Sequence, residues 1–250
     1  MSAERTARRV LIVGATSAIA MEVGRAYAER GASLFLAGRS PERLDAVAAD
    51  LRVRGAAPVE TMVLDVLARD RHADLVDRAF AAGELDAALL AHGVLPDQAR
   101  CQERPEEAVR ALEVNFTATV ALLTLLANRF EAQRRGTIAV IASVAGDRGR
   151  QSNYVYGASK GGLHVFLQGL RNRLHHSGVS VITLKPGFVD TPMTAGVPSN
   201  PLFASSRRAG RAIFRAIEAR RDVAYIPWFW RPIMALITSL PEFVFKRLRL

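Results

Sequence analysis

Tyr156 and Lys160 stand four residues apart in Tyr156-Gly157-Ala158-Ser159-Lys160, which on a helix brings a phenol and an ammonium to one face. A free tyrosine, with a pKa of about 10, is a poor acid–base group at neutral pH. A neighbouring positive charge favours the phenolate and is expected to lower that value. Tyr156 then becomes a general acid for carbonyl reduction or a general base for alcohol oxidation. Tyr154 has no lysine at the same offset. Ser143, in Ile141-Ala142-Ser143-Val144-Ala145-Gly146, closes an apolar run at what would be the carboxyl edge of a strand, where open α/β sheets bind ligands. Its hydroxyl can hold a substrate oxygen as charge develops there. Asn115, in Val114-Asn115-Phe116-Thr117, is an amide inside a long apolar helical pattern and a candidate to hold a water linking Lys160 to solvent. Singly, serines end strands and asparagines bend helices; the four together carry the reading.

A second constellation lies upstream. The run Val10–Val13 passes into Gly14-Ala15-Thr16-Ser17-Ala18-Ile19-Ala20 and then into an amphipathic helical pattern. Small residues in such a turn let the backbone approach a pyrophosphate, and the amides at the helix start bind it; any tight strand–helix turn also needs small residues. The next strand ends in Leu36-Ala37-Gly38-Arg39-Ser40, with no acidic residue to take ribose hydroxyls. Arg39 offers a charge-assisted partner for a 2′-phosphate instead, with Ser17 and Arg43 as helpers, so NADP(H) is expected in preference to NAD(H). The alternative is a solvated arginine opening a helix. Asp65 either accepts from an adenine amino group or caps the following helix.

The elements that must position these groups are legible as short β-branched runs alternating with longer helical patterns. Strands are expected at Val10–Val13, Ser33–Ala37, Val59–Leu64, Ala87–Ala91, Thr137–Ala142, Val179–Leu184 and Val223–Ile226. Nearly continuous apolar character is what a parallel sheet covered on both faces requires. The alternation predicts right-handed crossovers, helices on both faces and one doubly wound α/β domain spanning 1–250. One cysteine, Cys101, in 250 residues leaves no disulfide framework or cysteine-rich zinc site and suits a reducing cytoplasm. No secretory leader and no run of 18 apolar residues is read, which argues against a spanning helix. The net charge of +10 is spread almost wholly over arginines, lysine occurring only at 160, 185 and 246. Without a recognition motif it argues against nucleic acid; arginine-rich codon usage, an anionic substrate or an anionic membrane would each account for it.

Segment 193–208 carries prolines and small residues and is expected to cross the mouth of the site as a mobile lid. Its Met193, Val197, Leu202 and Phe203 point either to a partly apolar substrate or to the lid's own packing. The tail 227–250 begins Pro227-Trp228-Phe229-Trp230-Arg231-Pro232, continues through Ile233–Leu240 and ends in Phe243, Phe245, Lys246, Arg247 and Arg249. Aromatic–basic segments favour the bilayer interface, which would place the protein peripherally on the inner face of the plasma membrane. The alternative is an arm packed over the substrate pocket or a partner subunit.

With these motifs in hand, the chain resembles the short-chain dehydrogenase/reductase family over nearly its whole length. The turn Gly14–Ala20 is similar to that family's glycine-rich turn, Asn115, Ser143, Tyr156 and Lys160 match its catalytic four in order and spacing, and Lys185-Pro186-Gly187-Phe188-Val189-Asp190-Thr191-Pro192 resembles its segment after the sixth strand. The resemblance implies a Rossmann fold and hydride transfer between nicotinamide and a carbonyl or alcohol carbon. Cofactor contacts are implied for Gly14, Thr16, Ser17, Ala18, Ile19, Arg39, Asp65, Val66, His92, Gly93, Tyr156, Lys160, Pro186, Gly187, Val189 and Thr191. It also implies that Lys160 holds the nicotinamide ribose, and that a homodimer or homotetramer forms through the helices carrying Asn115 and Tyr156. Two positions depart from the pattern. Ala18 and Ala20 stand where glycines are usual, Ala18 crowding the pyrophosphate, and Leu90-Ala91-His92-Gly93 replaces Asn-Asn-Ala-Gly. His92 is expected to take over the strand-tying hydrogen bonds of the lost asparagine. Gly146-Asp147-Arg148-Gly149-Arg150 and the tail together resemble the reductases that act on a 2-keto sugar carried by a polyprenyl phosphate, which an arginine-rich loop and a lipid-seeking tail would suit. The rival reading is a non-catalytic NADP(H)-binding redox sensor or membrane-surface module, which would have no need of Lys160 beside Tyr156.

Overall fold

The computed structural model describes residues 8–196, 198 and 200–248; Val197 and Arg249, named above, lie outside the described residues. β1 (Arg9–Val13), α1 (Ala18–Ala28), β2 (Ser33–Gly38), α2 (Pro41–Val53), β3 (Val59–Val63) and α3 (His72–Ala81) form the first half. β4 (Ala87–Leu90), α4 (Gln98–Glu103), α5 (Pro105–Leu112), α6 (Ala118–Gln133), β5 (Thr137–Ile141), α7 (Tyr154–His175) and β6 (Ser180–Pro186) form the second. The chain continues through β7 (Val189–Asp190), β8 (Ala204–Ser205), α8 (Ser206–Glu218), β9 (Val223–Ile226), α9 (Trp230–Ser239) and α10 (Glu242–Phe245). Every expected strand is present within two residues of its predicted bounds.

Seven strands pair in parallel in the order β3-β2-β1-β4-β5-β6-β9. Side chains alternate between the two faces of a strand. Val10, Ile12, Leu34 and Leu36 therefore join the core that includes Val23 and Tyr27 of α1, Leu44 of α2 and Ile213 of α8. Leu11, Val13, Phe35 and Ala37 join the opposite core with Leu75 of α3, Leu122 of α6 and Leu167 of α7. Two buried faces explain why these strands read as continuous apolar runs. The chain leaves β1 toward β2 and β3 and returns to β4 on the other side. That reversal opens a crevice at the carboxyl ends of β1 and β4, the ligand position in open α/β sheets.

Two segments read from the sequence gain definition in the fold. The helix from Pro105 to Gln133 is continuous over 29 residues and has an 18-residue window of mean hydropathy 1.5, so one helix is long and apolar enough to span a bilayer. Its Leu122, Leu126 and Phe130 are fully buried in the core, and packing accounts for its composition. Within it, Glu113–Thr117 forms a π-helical turn around Asn115; such bulges re-aim a side chain and recur at functional sites. Second, the segment 193–208 is anchored at both ends. β7 and β8 pair in parallel, Phe203 stacks on Phe188 with ring centroids 5.2 Å apart, and Thr194 Oγ1 donates to the Val189 carbonyl at 2.6 Å.

Candidate active site

The turn after β1 is built for close approach. Gly14 has φ +79°, and a Cβ there would lie 2.6 Å from the His92 amide nitrogen, so only glycine admits the contact between the ends of β1 and β4. The amides of Gly14 and Ala15 donate to the Ala37 carbonyl, which folds the turn over β2. By helix geometry the amides of Ala18, Ile19 and Ala20 have no acceptor within α1, and Ser17 at the N-cap makes no side-chain capping bond. Arg39 is exposed at the cavity rim, and Arg43 donates to the Thr16 carbonyl at 3.2 Å. Asp65 accepts from the Leu67 amide at 3.0 Å, closing a turn rather than capping a helix, since the next two helical segments begin after Ala68 and Arg71; it also lines the cavity.

His92 does not tie strands together, contrary to expectation. Its Nε2 meets Thr119 Oγ1 of α6 at 2.9 Å, and that hydroxyl donates to the Asn115 carbonyl at 2.9 Å. Nε2 therefore carries the hydrogen, and the buried Nδ1 is left as an acceptor without a protein partner. Burial first, then the charge of Lys160, pushes the imidazole pKa down to about 3. The ring is neutral at physiological pH.

Across the crevice, Lys160 is 3% exposed and its Nζ donates to the Ile141 carbonyl at 3.0 Å. Burial lowers its pKa to about 8. The Nζ lies 5.7 Å from the Tyr156 ring centroid. The Tyr156 hydroxyl is not shifted in the expected direction: burial raises its pKa, with only the Ser143 hydroxyl pulling it down. The physical reason is that desolvation costs the phenolate more than a lysine already spending a hydrogen bond on Ile141 can return. Ser143, buried at the end of β5, accepts from the Ala145 amide at 3.1 Å. Asn115 clamps the Val94 backbone from both sides, accepting from its amide at 2.8 Å and donating to its carbonyl at 2.9 Å. It also donates to Ser159 Oγ at 3.3 Å.

All the candidate residues except Asn115 line one cavity of about 370 Å³ at the carboxyl edge of the sheet. The nucleotide set and the set of Ser143, Tyr156 and Lys160 thus face the same space, and Asn115 stands behind it. Comparison with known proteins gives the arrangement its lineage. Residues 8–201 match the model of the short chain dehydrogenase family. The chain belongs to the short-chain dehydrogenase family. An uncharacterized oxidoreductase of Mycobacterium tuberculosis is 39% identical over 240 residues, covering 96% of each chain. Another, from Streptomyces coelicolor, is 35% identical over 242 residues at the same coverage. Among solved structures, a short chain dehydrogenase from Burkholderia cenocepacia in complex with NADP superposes with TM-score 0.82 at 22% identity, covering 95% of each chain. A 3-oxoacyl-[acyl-carrier protein] reductase from Brucella melitensis superposes with TM-score 0.77 at 22% identity, covering 88% of this chain and 89% of that one.

This short-chain dehydrogenase has site features that local sequence did not expose. The Asp147 side chain is 7% exposed, its Oδ1 2.5 Å from Lys185 Nζ and 3.3 Å from His164 Nδ1, and it accepts from the Tyr225 hydroxyl at 3.0 Å. Burial pushes its pKa up, but the bonds from His164 and Lys185 outweigh it and hold the carboxylate below its ordinary range. The loop after Ser143 is thereby pinned to α7, β6 and β9. Arg148, expected beside the substrate, turns away. It donates to the carbonyls of Ile237, Thr238 and Leu240 at 2.8, 3.3 and 2.5 Å, pairs with Glu242 at 3.0 Å and lies over the Phe245 ring at 3.8 Å. A guanidinium is well placed at a helix C-terminus, where carbonyls lack partners, and this one fastens the C-terminal arm to the catalytic loop.

The arm divides the two tryptophans. Trp230 is 3% exposed and Trp228 73% exposed. Trp230 lines the cavity and presses so closely on Gly187 that a Cβ there would overlap its ring at 2.0 Å. Only the alternative of an arm over the pocket would have signalled Trp230. Of the lid residues, Met193 lines the cavity, Phe203 packs on Phe188 and Leu202 is exposed.

Proposed function

We propose that this oxidoreductase is an NADP(H)-dependent carbonyl reductase acting on a hydrophobic or lipid-linked ketone. The observation that carries the reading is the single cavity holding Ser143, Tyr156 and Lys160 together with the turn after β1. The residues fit a dinucleotide: the Gly14 approach has no room for a Cβ, the first amides of α1 are free within the helix, and His92 Nδ1 is a buried acceptor suited to a ribose hydroxyl. Ser17, Ala18 and Ile19 would hold the pyrophosphate, Arg39 a 2′-phosphate, Lys160 the nicotinamide ribose, and Val189 and Thr191 the carboxamide. A reduced nicotinamide bound there supplies hydride.

Ser143 then orients the carbonyl oxygen, and Tyr156 gives it a proton as negative charge develops. The raised pKa of Tyr156 keeps the phenol protonated at neutral pH, the form a general acid needs. Asn115, by clamping Val94 and Ser159, fixes the floor over which Lys160 is reprotonated. Phe188, Met193 and Trp230 in the wall support an apolar substrate. NADPH consumption against a panel of hydrophobic ketones tests the reading; tight NADPH binding with no turnover of any ketone would favour a cofactor sensor. Arg39→Ala is expected to weaken NADPH binding about 10-fold, the loss of one charge-assisted bond, with NADH binding little changed. Equal weakening of both would remove Arg39 as the phosphate partner.

Membrane contact is proposed on a second observation. Trp228, Leu236, Phe243 and Leu248 are exposed on the C-terminal arm, and the exposed Arg231, Lys246 and Arg247 accompany them. Aromatic and aliphatic side chains beside cations suit the surface of an anionic bilayer, here the inner face of the plasma membrane. Vesicles of mixed anionic and neutral lipid should sediment the wild type and release a Trp228→Glu/Leu236→Glu/Phe243→Glu variant. Equal sedimentation of both would exclude the arm as the contact.

A further inference from the structure

One cation of the cavity is left without work by the mechanism above. Arg150 lies on the loop between Ser143 and Tyr156 and lines the cavity. Its buried Nε has no hydrogen-bond partner, and it forms no salt bridge among the described residues. The neighbouring cations are both committed, Arg148 to the C-terminal arm and Lys185 to Asp147. Asp147, the acid nearest in sequence, is already held by Lys185, His164 and Tyr225. Burial of Arg150 lowers its pKa against the opposing charge of Asp147, the signature of a cation paying for desolvation without a contact counter-ion.

We infer that Arg150 forms a subsite for an oxyanion carried by the ketone substrate, a phosphate or a carboxylate attached to an apolar body. The inference deepens the carbonyl-reductase reading and rests on it for the word substrate. The oxyanion belongs to the substrate rather than the cofactor because of where the cations sit. Ser17, Arg39 and Arg43 collect at the turns after β1 and β2, whereas Arg150 follows the end of β5. A guanidinium presents several donors in a fixed fork that matches such groups. Phe188, Met193 and Trp230 supply the apolar wall for the remainder of the molecule.

Binding of three probes with one apolar chain, decyl phosphate, decanoate and decanol, tests it on the full-length protein. The readout is fluorescence of Trp230 in a Trp228→Phe background, with calorimetry alongside. At least one anion is expected to bind about 10-fold more tightly than decanol, and the tighter of the two distinguishes phosphate from carboxylate. Arg150→Met should bring the anion-to-decanol ratio close to one, and Arg150→Lys should retain part of it. If the Met variant fails to melt cooperatively, the Lys variant reads the same ratio, a several-fold fall being expected. No anion preference in the wild type, or a variant ratio equal to the wild-type ratio, overturns the inference. The binding ratio does not depend on turnover, so a protein that reduces no ketone would sink the reductase reading and leave this result to be judged on its own.

Discussion

Tyr156→Phe is expected to lower kcat for carbonyl reduction by about 10³-fold, within the range a positioned general acid contributes, while NADPH binds within a few-fold of wild type. The substitution removes one oxygen from a ring at the cavity wall and touches neither the Gly14 turn nor the α1 amides. Its effect therefore belongs to proton delivery. Because burial raises the Tyr156 pKa, the phenol holds its proton through neutral pH, and no descending limb from this group should appear in the rate of reduction between pH 6 and 8 (about the physiological range). Stopped-flow measurement of NADPH oxidation, together with NADPH titration, checks both halves. A Phe variant with wild-type kcat would remove Tyr156 as the acid.

Lys160→Met is expected to act in opposite directions on activity and stability. A lysine whose pKa falls from its ordinary 10.5 to about 8 has its charged form disfavoured by about 3 kcal/mol in the folded protein. Between those values the unfolded chain binds the proton and the folded one does not, so stability rises with pH through that window. Below pH 8 the full cost of the buried charge is present. Replacing the ammonium by a methionine of similar length removes this cost and forfeits the bond to the Ile141 carbonyl, about 1 kcal/mol. The cofactor-free variant should melt a few degrees higher than wild type at pH 7, by the usual relation for a chain of this size, and the gain should shrink as pH is raised toward 10 (about the lysine reference value). Activity should fall by about two orders of magnitude or more, since a neutral side chain neither grips ribose nor reprotonates the phenol. In the wild type, kcat/KM for NADPH should decline above pH 8, as the free enzyme loses the Lys160 proton. A variant less stable than wild type at pH 7 would mean that the ammonium is a net stabiliser, contrary to its burial.

What the amino-acid sequence determined by itself was whatever depends on neighbours along the chain. Tyr156 and Lys160 share a helix face because of the helical repeat, and the small residues from Gly14 to Ala18 let the chain turn tightly between strand and helix. The strands are readable because both faces are buried, which makes each a short apolar run. Tertiary structure alone decided where long side chains ended and how burial weighted their charges. Arg148 and Arg150 are two residues apart, yet one grips carbonyls of α9 and the other faces the cavity, a choice made by the distant arm that happens to lie within reach. Trp230 enters the site from the far end of the chain because Gly187 leaves room for its ring. The direction of the Tyr156 pKa shift is hidden from the sequence for the same reason: spacing reveals which charges are near, whereas desolvation, which outweighs them here, is a property of the packed interior.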